Sequence, residues 1–195
     1  MNKKIRKQEM PELVLPDRRY LESVKNAVRE YTAFPSPFDI NCVHKLIDAA
    51  KTDFQTYFDE IENARNSLNL PEGHVPSTAL WLVENGCYAG SFDIRHYLND
   101  FLQKRGGHIA YQIVPSKRGN ALAAKGLRLA LDYCRTNLRL DKVLLTCNFE
   151  NAASYKTMTA VMNEYGGYED TPSETDGSRE HRVWIMTAAK AEALK

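Results

Sequence analysis

Hydrophobic positions recur at two different spacings along this chain, and the change between them separates a helical part from a sheet-rich part. Four apolar residues recur at helical spacing before the break at residues 34–37: Tyr20, Val24, Val28 and Tyr31. They predict a helix that opens at Asp17 or Arg18. A second amphipathic stretch covers residues 39–70 and has six candidate core residues: Val43, Leu46, Ile47, Phe54, Phe58 and Ile61. Residues 11–75 are therefore predicted to be mainly helical, after a short strand over 12–15.

Residues 78–187 favour strands. Two apolar runs, 78–84 and 87–95, flank Asn85-Gly86, which predicts an antiparallel hairpin. Further strands are expected over 108–114, 142–147, 168–174 and 181–187, and a helix over 152–164. Between the strands 108–114 and 142–147, one apolar helix face is formed by Leu127, Leu131, Cys134 and Leu138. Strand, helix, strand predicts a parallel crossover.

Composition limits the classes of protein that fit. The 195 residues are 43% hydrophobic, which suits one domain, predicted over residues 11–190 behind a flexible tail of residues 1–10. Lys and Arg number 26 against 25 Asp and Glu, so the formal net charge of +1 gives no global attraction to nucleic acid or membrane, and neither partner is expected. The four cysteines lack CxxC and zinc spacing, which predicts reduced thiols, a cytoplasmic location and no metal.

The segment 113–123 ends a strand, turns at Arg118-Gly119 and opens a helix. Free N–H groups at a helix start, its dipole and a nearby Arg can bind a pyrophosphate without a basic protein surface. Neither the P-loop pattern nor GxGxxG is present. A different anion-binding loop is therefore predicted.

This loop resembles the acetyl-coenzyme A loop of the GNAT superfamily of N-acetyltransferases, Arg-x-x-Gly/Ala-x-Gly/Ala. Arg118, Ala121 and Ala123 match it, with Ala where the first small residue is usually Gly. Asn151 and Ser154 resemble the Asn-x-x-Ala/Ser helix start of the same family, and Gly166-Gly167 follows later. The stretch from about residue 78 to residue 167 is similar to one bacterial branch of the superfamily.

The resemblance implies an α/β (α+β) fold with a mixed, mainly antiparallel central sheet, helices on both faces and a splayed parallel strand pair. It implies transfer of acetyl from acetyl-coenzyme A to an amine by direct attack, without a metal. The cofactor-binding residues that it implies are Ile113, Val114, Arg118, Gly119, Asn120, Ala121, Leu122, Ala123, Asn151 and Ser154. Residues 78–187 would form the cofactor-binding core.

The catalytic groups are predicted less directly. His108 opens the strand that would line the cleft and is a candidate general base. Many relatives carry a Tyr acid seven residues after the helix-start Asn, where this chain has Met158, or Met162 when counted back from Gly166. Either Tyr155 or solvent is then the candidate substitute. Arg95, His96 and Tyr111 are candidates for the acceptor side, with the oxyanion donor expected near residues 111–113.

Two other functions remain open. A non-catalytic acyl-coenzyme A sensor or interaction module is the main alternative, because Met158 replaces the usual Tyr. A nucleotide-binding regulator ranks lower, because both standard nucleotide loops are missing. The sequence leaves the acceptor amine unidentified, and a homodimer is compatible with it.

Overall fold

The computed structural model describes residues 10–38, 40–68, 70–170 and 179–189. Within these ranges the strands are β1 (Glu12–Val14), β2 (Ser77–Glu84), β3 (Cys87–Arg95), β4 (Ile109–Ile113), β5 (Lys142–Asn148), β6 (Gly167–Glu169) and β7 (Glu180–Met186). The α-helices of the same ranges are α1 (Leu21–Ala33), α2 (Asn41–Lys51), α3 (Phe54–Arg65), α4 (Asp100–Lys104), α5 (Leu122–Asn137) and α6 (Ala152–Tyr165). The predicted tail, except residue 10, and residues 171–174 of the predicted strand 168–174 lie outside the described residues.

The N-terminal helices follow the predicted core positions, with one difference. Asp17 caps a short 3-10 turn that leads into α1, its side chain accepting from Arg19 N–H at 2.8 Å. The stretch predicted as one amphipathic region is two helices, because Asp53 caps α3 by accepting from the N–H groups of Gln55 and Thr56. A new helix start therefore interrupts the apolar pattern without removing it.

The predicted hairpin is confirmed. β2 and β3 pair antiparallel around Asn85 and Gly86, whose φ angles of 51° and 72° are those of a tight primed turn. β1 and β4 complete a four-stranded antiparallel sheet in the order β1-β2-β3-β4. The other three strands form a second antiparallel sheet in the order β5-β7-β6. The predicted fold class is thus found as two sheets with helices on both faces.

β4 and β5 are the facing edges of the two sheets. No strand ladder joins them among the described residues. They meet at one end, where His108 N–H donates to Leu144 C=O at 2.7 Å. Gly107, with φ 59°, allows this approach, because a Cβ there would lie 2.3 Å from the Leu144 carbonyl oxygen. The crossover predicted from the strand-helix-strand order therefore links two strands that touch at one end only.

Two hydrophobic cores hold the sheets. The first lies under α5 and α6, where Leu127, Leu131 and Cys134 are fully buried as the helix pattern predicts. The second lies under α1, α2 and α3 on the other face of the four-stranded sheet and surrounds Trp81, which is also fully buried. This leaves the gap between β4 and β5 to be lined by strand edges and by the first turn of α6.

Candidate active site

The turn after β4 has the free donors that an anion site needs. Gly119 (φ 83°) and Ala121 (φ 56°) both adopt left-handed backbone, and α5 begins directly after Ala121 without a side-chain cap. The six consecutive N–H groups from Gly119 to Ala124 donate to no acceptor in the described part of the chain. Free N–H groups that end at a helix start can receive a phosphate.

Side chains around this turn leave the donors open to solvent. Arg118 and the three residues after it are exposed, whereas Leu122 is buried and anchors the helix start in the core. Arg118 Nε donates to the Ile113 carbonyl at 3.1 Å, which holds the guanidinium beside the end of β4. Ser116 is tied to Glu30 of α1 through its N–H at 2.9 Å and its hydroxyl at 3.0 Å. The loop is thus fixed on the side away from its free donors.

The backbone N–H and C=O groups of successive β4 residues point alternately toward β3 and toward the gap between β4 and β5. Arg95 N–H donates to His108 C=O at 2.8 Å, and Val114 N–H donates to Ala89 C=O at 3.0 Å. By the alternation of an antiparallel ladder, the backbone groups of Tyr111 and Ile113 then point away from β3, toward β5. Ile113, a predicted coenzyme A contact, therefore directs its N–H toward the gap, while Arg118 occupies its carbonyl and the N–H of Val114, the other predicted contact, bonds within the sheet.

Two hydroxyl groups meet across the gap. Tyr111 of β4 and Ser154 of α6 lie 3.0 Å apart, OH to Oγ. Burial raises the pKa of Tyr111 to about 12, so both hydroxyls keep their protons at neutral pH. Asn151 caps α6, its Oδ1 accepting from Ser154 N–H at 3.1 Å, which fixes the position of the serine. Either hydroxyl can be the donor of this bond, and Thr157 and the Cys147 thiol also lie within hydrogen-bond reach of Tyr111 and Ser154, respectively.

His108 lies at the junction of the two sheets, in a position that opposes the predicted base role. Its Nδ1 accepts from Leu144 N–H at 3.0 Å, so the proton is carried by Nε2. Burial, with a smaller contribution from the charge of Arg95, lowers the pKa of His108 to about 4. The ring is 6% exposed and packs edge-on against Trp184. A ring held in this way joins β4 to β5 and is a poor proton acceptor near pH 7.

Tyr155 is also engaged. Its ring stacks on His181 with centroids 3.8 Å apart, and its hydroxyl donates to Glu169 at 2.8 Å. The hydrogen bond with Glu169 raises the pKa of Tyr155. Met158, at the position where many relatives carry a Tyr, is fully buried in the core. The Tyr155 hydroxyl is thus engaged with Glu169, whereas the part-buried hydroxyls of Tyr111 and Ser154 bond to each other.

The predicted acceptor residues are separated by the sheet. His96 Nε2 bonds to Thr78 Oγ1 at 2.9 Å, and Thr78 also receives a hydrogen bond from Tyr133 of α5. Burial lowers the pKa of His96, which disfavours an exposed cationic role. Arg95 lines a cavity of about 680 Å³ on the α2 and α3 side. Asp93 also lines this cavity and was not among the predicted site residues. A charged residue between Phe92 and Ile94 in an apolar strand is the feature of the sequence that indicates it.

Neither a metal site nor a membrane span is found in the parts of the chain that the structure describes. No group of three or more His, Cys, Asp or Glu residues is placed to hold a metal ion there. None of the described helices combines the length and the apolar character needed to cross a bilayer.

Comparison with known proteins gives the fold. No family model matches the chain, and no curated protein matches it. Among solved structures, RimJ of Mycobacterium smegmatis in complex with CoA-disulfide is similar with a TM-score of 0.64 and 15% identity, covering 94% of this chain and 88% of that one. The microcin self-immunity acetyltransferase MccE, in complex with acetyl-CoA and AMP, is similar with a TM-score of 0.63 and 11% identity, covering 91% and 93%.

An acetyltransferase of the GNAT family from Bacillus anthracis is similar with a TM-score of 0.58 and 13% identity, covering 93% of this chain and 97% of that one. The agreement extends over nearly the whole length of these proteins at low identity. This chain therefore has the fold of the GNAT acetyltransferases, as its turn and helix-start residues predicted.

Proposed function

We propose that this chain, which has the GNAT fold, transfers an acetyl group from acetyl-coenzyme A to an amine. The observation that carries the proposal is the run of six free N–H groups from Gly119 to Ala124 at the end of β4. These donors and the start of α5 would hold the pyrophosphate, with the Arg118 guanidinium as a counter-charge. A near-neutral protein would in this way have a local anion site.

The pantetheine arm would lie along β4 in the gap. The five residues of this strand extend about 16 Å in β conformation. Tyr111 and Ile113 offer backbone groups toward the gap, and the amide Nδ2 of Asn151 has no acceptor among the described residues. An extended amide-containing arm pairs naturally with such an unpaired strand edge. The thioester would then lie near Tyr111 and Ser154.

Direct attack by the amine fits the state of two buried thiols, Cys134 and Cys147. Burial raises the pKa of Cys147 to about 11 and that of Cys134 to about 12, so neither is a thiolate near pH 7. The Tyr111 N–H at the edge of β4 would stabilise the oxyanion. The hydroxyl pair of Tyr111 and Ser154 would stabilise the leaving thiolate by a hydrogen bond, and the thiolate would take its proton from solvent.

The amine must lose a proton before it attacks. An alkylamine has a pKa of about 10 and is mainly protonated at neutral pH. Because the ring of His108 is buried and its Nδ1 is occupied, we propose that water carries this proton to the solvent. Such a route predicts a rate that rises with pH according to the ionisation of the amine itself.

A sensor of acyl-coenzyme A is the second candidate, and the burial of Met158 favours it. A fully buried Met at the position of the usual acid leaves a site that can bind the cofactor without the proton donor found in many relatives. The same anion turn serves both functions. Turnover distinguishes them.

The test combines binding with turnover. Calorimetry compares acetyl-coenzyme A with ATP and NAD, and release of free thiol is then followed with a broad amine panel at saturating acetyl-coenzyme A. Preferential binding of acetyl-coenzyme A with amine-dependent thiol release supports the transferase. Binding without turnover for any amine supports the sensor, and preferential binding of ATP or NAD overturns both proposals.

A further inference from the structure

The junction between the two sheets uses side chains where a strand ladder would use backbone groups. Among the described residues, three hydrogen bonds join residues 106–108 to β5. His108 N–H donates to Leu144 C=O at 2.7 Å, as in an ordinary ladder. Leu144 N–H donates to the ring of His108 at 3.0 Å, and Gly106 N–H donates to the hydroxyl of Thr146 at 2.8 Å. Two of the three bonds therefore depend on a side chain.

The His108 ring stands in for a backbone carbonyl. In a parallel ladder, the N–H and C=O of one residue bond to two residues of the neighbouring strand that are two positions apart. Since Leu144 C=O accepts from residue 108, its N–H would normally donate to the carbonyl of residue 106. That carbonyl accepts instead from Arg95 Nη1 at 3.1 Å. The imidazole thus satisfies Leu144 N–H without continued pairing of β4 with β5.

The same residue stops the ladder in the forward direction. The next bond of a parallel ladder would run from Thr146 N–H to His108 C=O. This carbonyl already accepts from Arg95 N–H at 2.8 Å, on the β3 side. The N–H and C=O of His108 therefore point to opposite neighbours, and the left-handed backbone of Gly107 precedes this irregularity. As a result, β4 leaves β5 at His108.

The ring is difficult to replace at this position. Leu144 is fully buried, and the ring is also buried, with its edge against Trp184. A buried N–H group without an acceptor is strongly disfavoured. An apolar side chain at residue 108 would leave Leu144 N–H unpaired, or β4 would have to move toward β5 until a backbone carbonyl replaced the ring. Either outcome changes the gap between the strands.

This junction is the closed end of the gap in which the pantetheine arm is proposed to lie. Tyr111 follows His108 by three residues, which in a strand is about 10 Å. The anion turn lies beyond the other end of β4 and is fixed separately, since Ser116 bonds to Glu30 of α1. A change at His108 should therefore reach the pantetheine part of the gap before it reaches the turn.

We propose that His108 is a positioning residue for coenzyme A, because its ring ends the contact between β4 and β5 and thereby sets the width of the gap. The inference rests on the proposed binding of acetyl-coenzyme A. It gives His108 neither a proton transfer nor a contact with the ligand, so it replaces the predicted role of general base with a different one.

The test compares two ligands by isothermal calorimetry: coenzyme A, and adenosine 3′-phosphate 5′-diphosphate, which is the same nucleotide without pantetheine. His108→Leu should weaken coenzyme A binding about tenfold or more and change the affinity for the nucleotide less than about twofold. His108→Asn should bind coenzyme A within about threefold of the wild type, because its side-chain oxygen can accept from Leu144 N–H.

A matched control separates positioning from general loss of stability. Leu46 is fully buried in the core under α1, α2 and α3, away from the junction. Leu46→Ala should lower the denaturation midpoint and leave the ratio of the two affinities unchanged. If His108→Leu does not fold, His108→Ala serves in its place, because a water molecule can then accept from Leu144 N–H. The loss of affinity should again be confined to coenzyme A.

Hydrogen exchange of the Leu144 amide is a second measurement that needs no ligand. Exchange should be about tenfold faster or more in His108→Leu than in the wild type, and close to the wild-type rate in His108→Asn. An unchanged rate in His108→Leu would show that the ring is not the acceptor that holds this amide, and the inference would fail.

Failure of the inference can be told from failure of the proposed function. If folded His108→Leu binds coenzyme A like the wild type, loses affinity for both ligands equally, or is matched in its loss by His108→Asn, the positioning role is overturned while cofactor binding stands. Binding by the wild type without turnover favours the sensor and leaves the role of His108 in place. Absence of coenzyme A binding by the wild type overturns the proposed function and the positioning role together.

Discussion

A single carboxylate at Ala121 should separate coenzyme A binding from folding. Ala121 is exposed, adopts left-handed backbone with φ 56° and stands at the N-cap of α5 without a side-chain cap. Asn and Asp both tolerate this backbone and both cap helices well. Ala121→Asp and Ala121→Asn are therefore matched variants that differ only by one charge.

The magnitude follows from the proposed position of the pyrophosphate. Two unit charges about 5 Å apart repel by about 0.8 kcal/mol in water and by about 3 kcal/mol at an effective dielectric of 20. Ala121 lies among the free N–H groups of residues 119–124. The carboxylate introduced by Ala121→Asp would therefore face at least one phosphate charge. Ala121→Asp should weaken coenzyme A binding about 10- to 100-fold relative to Ala121→Asn. Neither side chain should cost the fold much, because Asp and Asn both accept a left-handed backbone.

Isothermal calorimetry with coenzyme A gives the two dissociation constants, and thermal melting without ligand confirms that both variants are folded. The loss should shrink as salt is raised, because the site is open to solvent. If folded Ala121→Asp binds coenzyme A within threefold of Ala121→Asn at low salt, the phosphate does not lie at this turn and the reasoning fails.

Three further predictions follow from the same structure. Burial lowers the pKa of His108 from 6.5 to about 4. Between these two pH values the imidazole is therefore protonated in the unfolded chain and neutral in the folded chain. Stability should therefore fall as pH drops from about 6.5 toward 4, by about 3 kcal/mol at most, and urea titrations of His108→Gln should lose this dependence. Tyr111→Phe and Ser154→Ala should lower kcat about tenfold or more with little change in coenzyme A affinity, whereas Tyr155→Phe should change kcat less than threefold. Stopped-flow measurement of thiol release gives these rates. If Tyr155→Phe has the lowest kcat of the three variants, the acid role belongs to Tyr155. Gly107→Ala should destabilise the fold by several kcal/mol more than Gly119→Ala. A Cβ at residue 107 meets the Leu144 carbonyl oxygen at 2.3 Å, whereas one at residue 119 meets nothing within 4 Å. Equal denaturation midpoints for the two variants would contradict the role of Gly107 at the sheet junction.

Local features of the sequence determined most elements and the anion turn. The Asn85-Gly86 pair set the hairpin, because only residues that accept positive φ close a two-residue primed turn. The stripe of Leu127, Leu131 and Cys134 set the buried face of α5, because helical periodicity is a property of neighbouring residues. The run of free N–H groups before α5 was equally predictable, since any helix start leaves such groups without an intrahelical acceptor, and their binding of an anion stays a prediction.

Contacts between distant segments decided the rest. The break between α2 and α3 is the exception, a local feature that the apolar pattern hid, because Asp53 caps α3 through the N–H groups of Gln55 and Thr56. His108 has the spacing of a cleft base, but its protonation depends on Leu144, which is 36 residues away and occupies its Nδ1. The pair of Tyr111 and Ser154 and the carboxylate of Asp93 in its cavity likewise exist only after β4, α6 and α3 pack together. Burial and the neighbouring partner atoms decide the pKa of a side chain and whether its hydrogen-bonding groups are occupied. Both depend on the packing of distant segments and cannot be read from the spacing of residues along the chain.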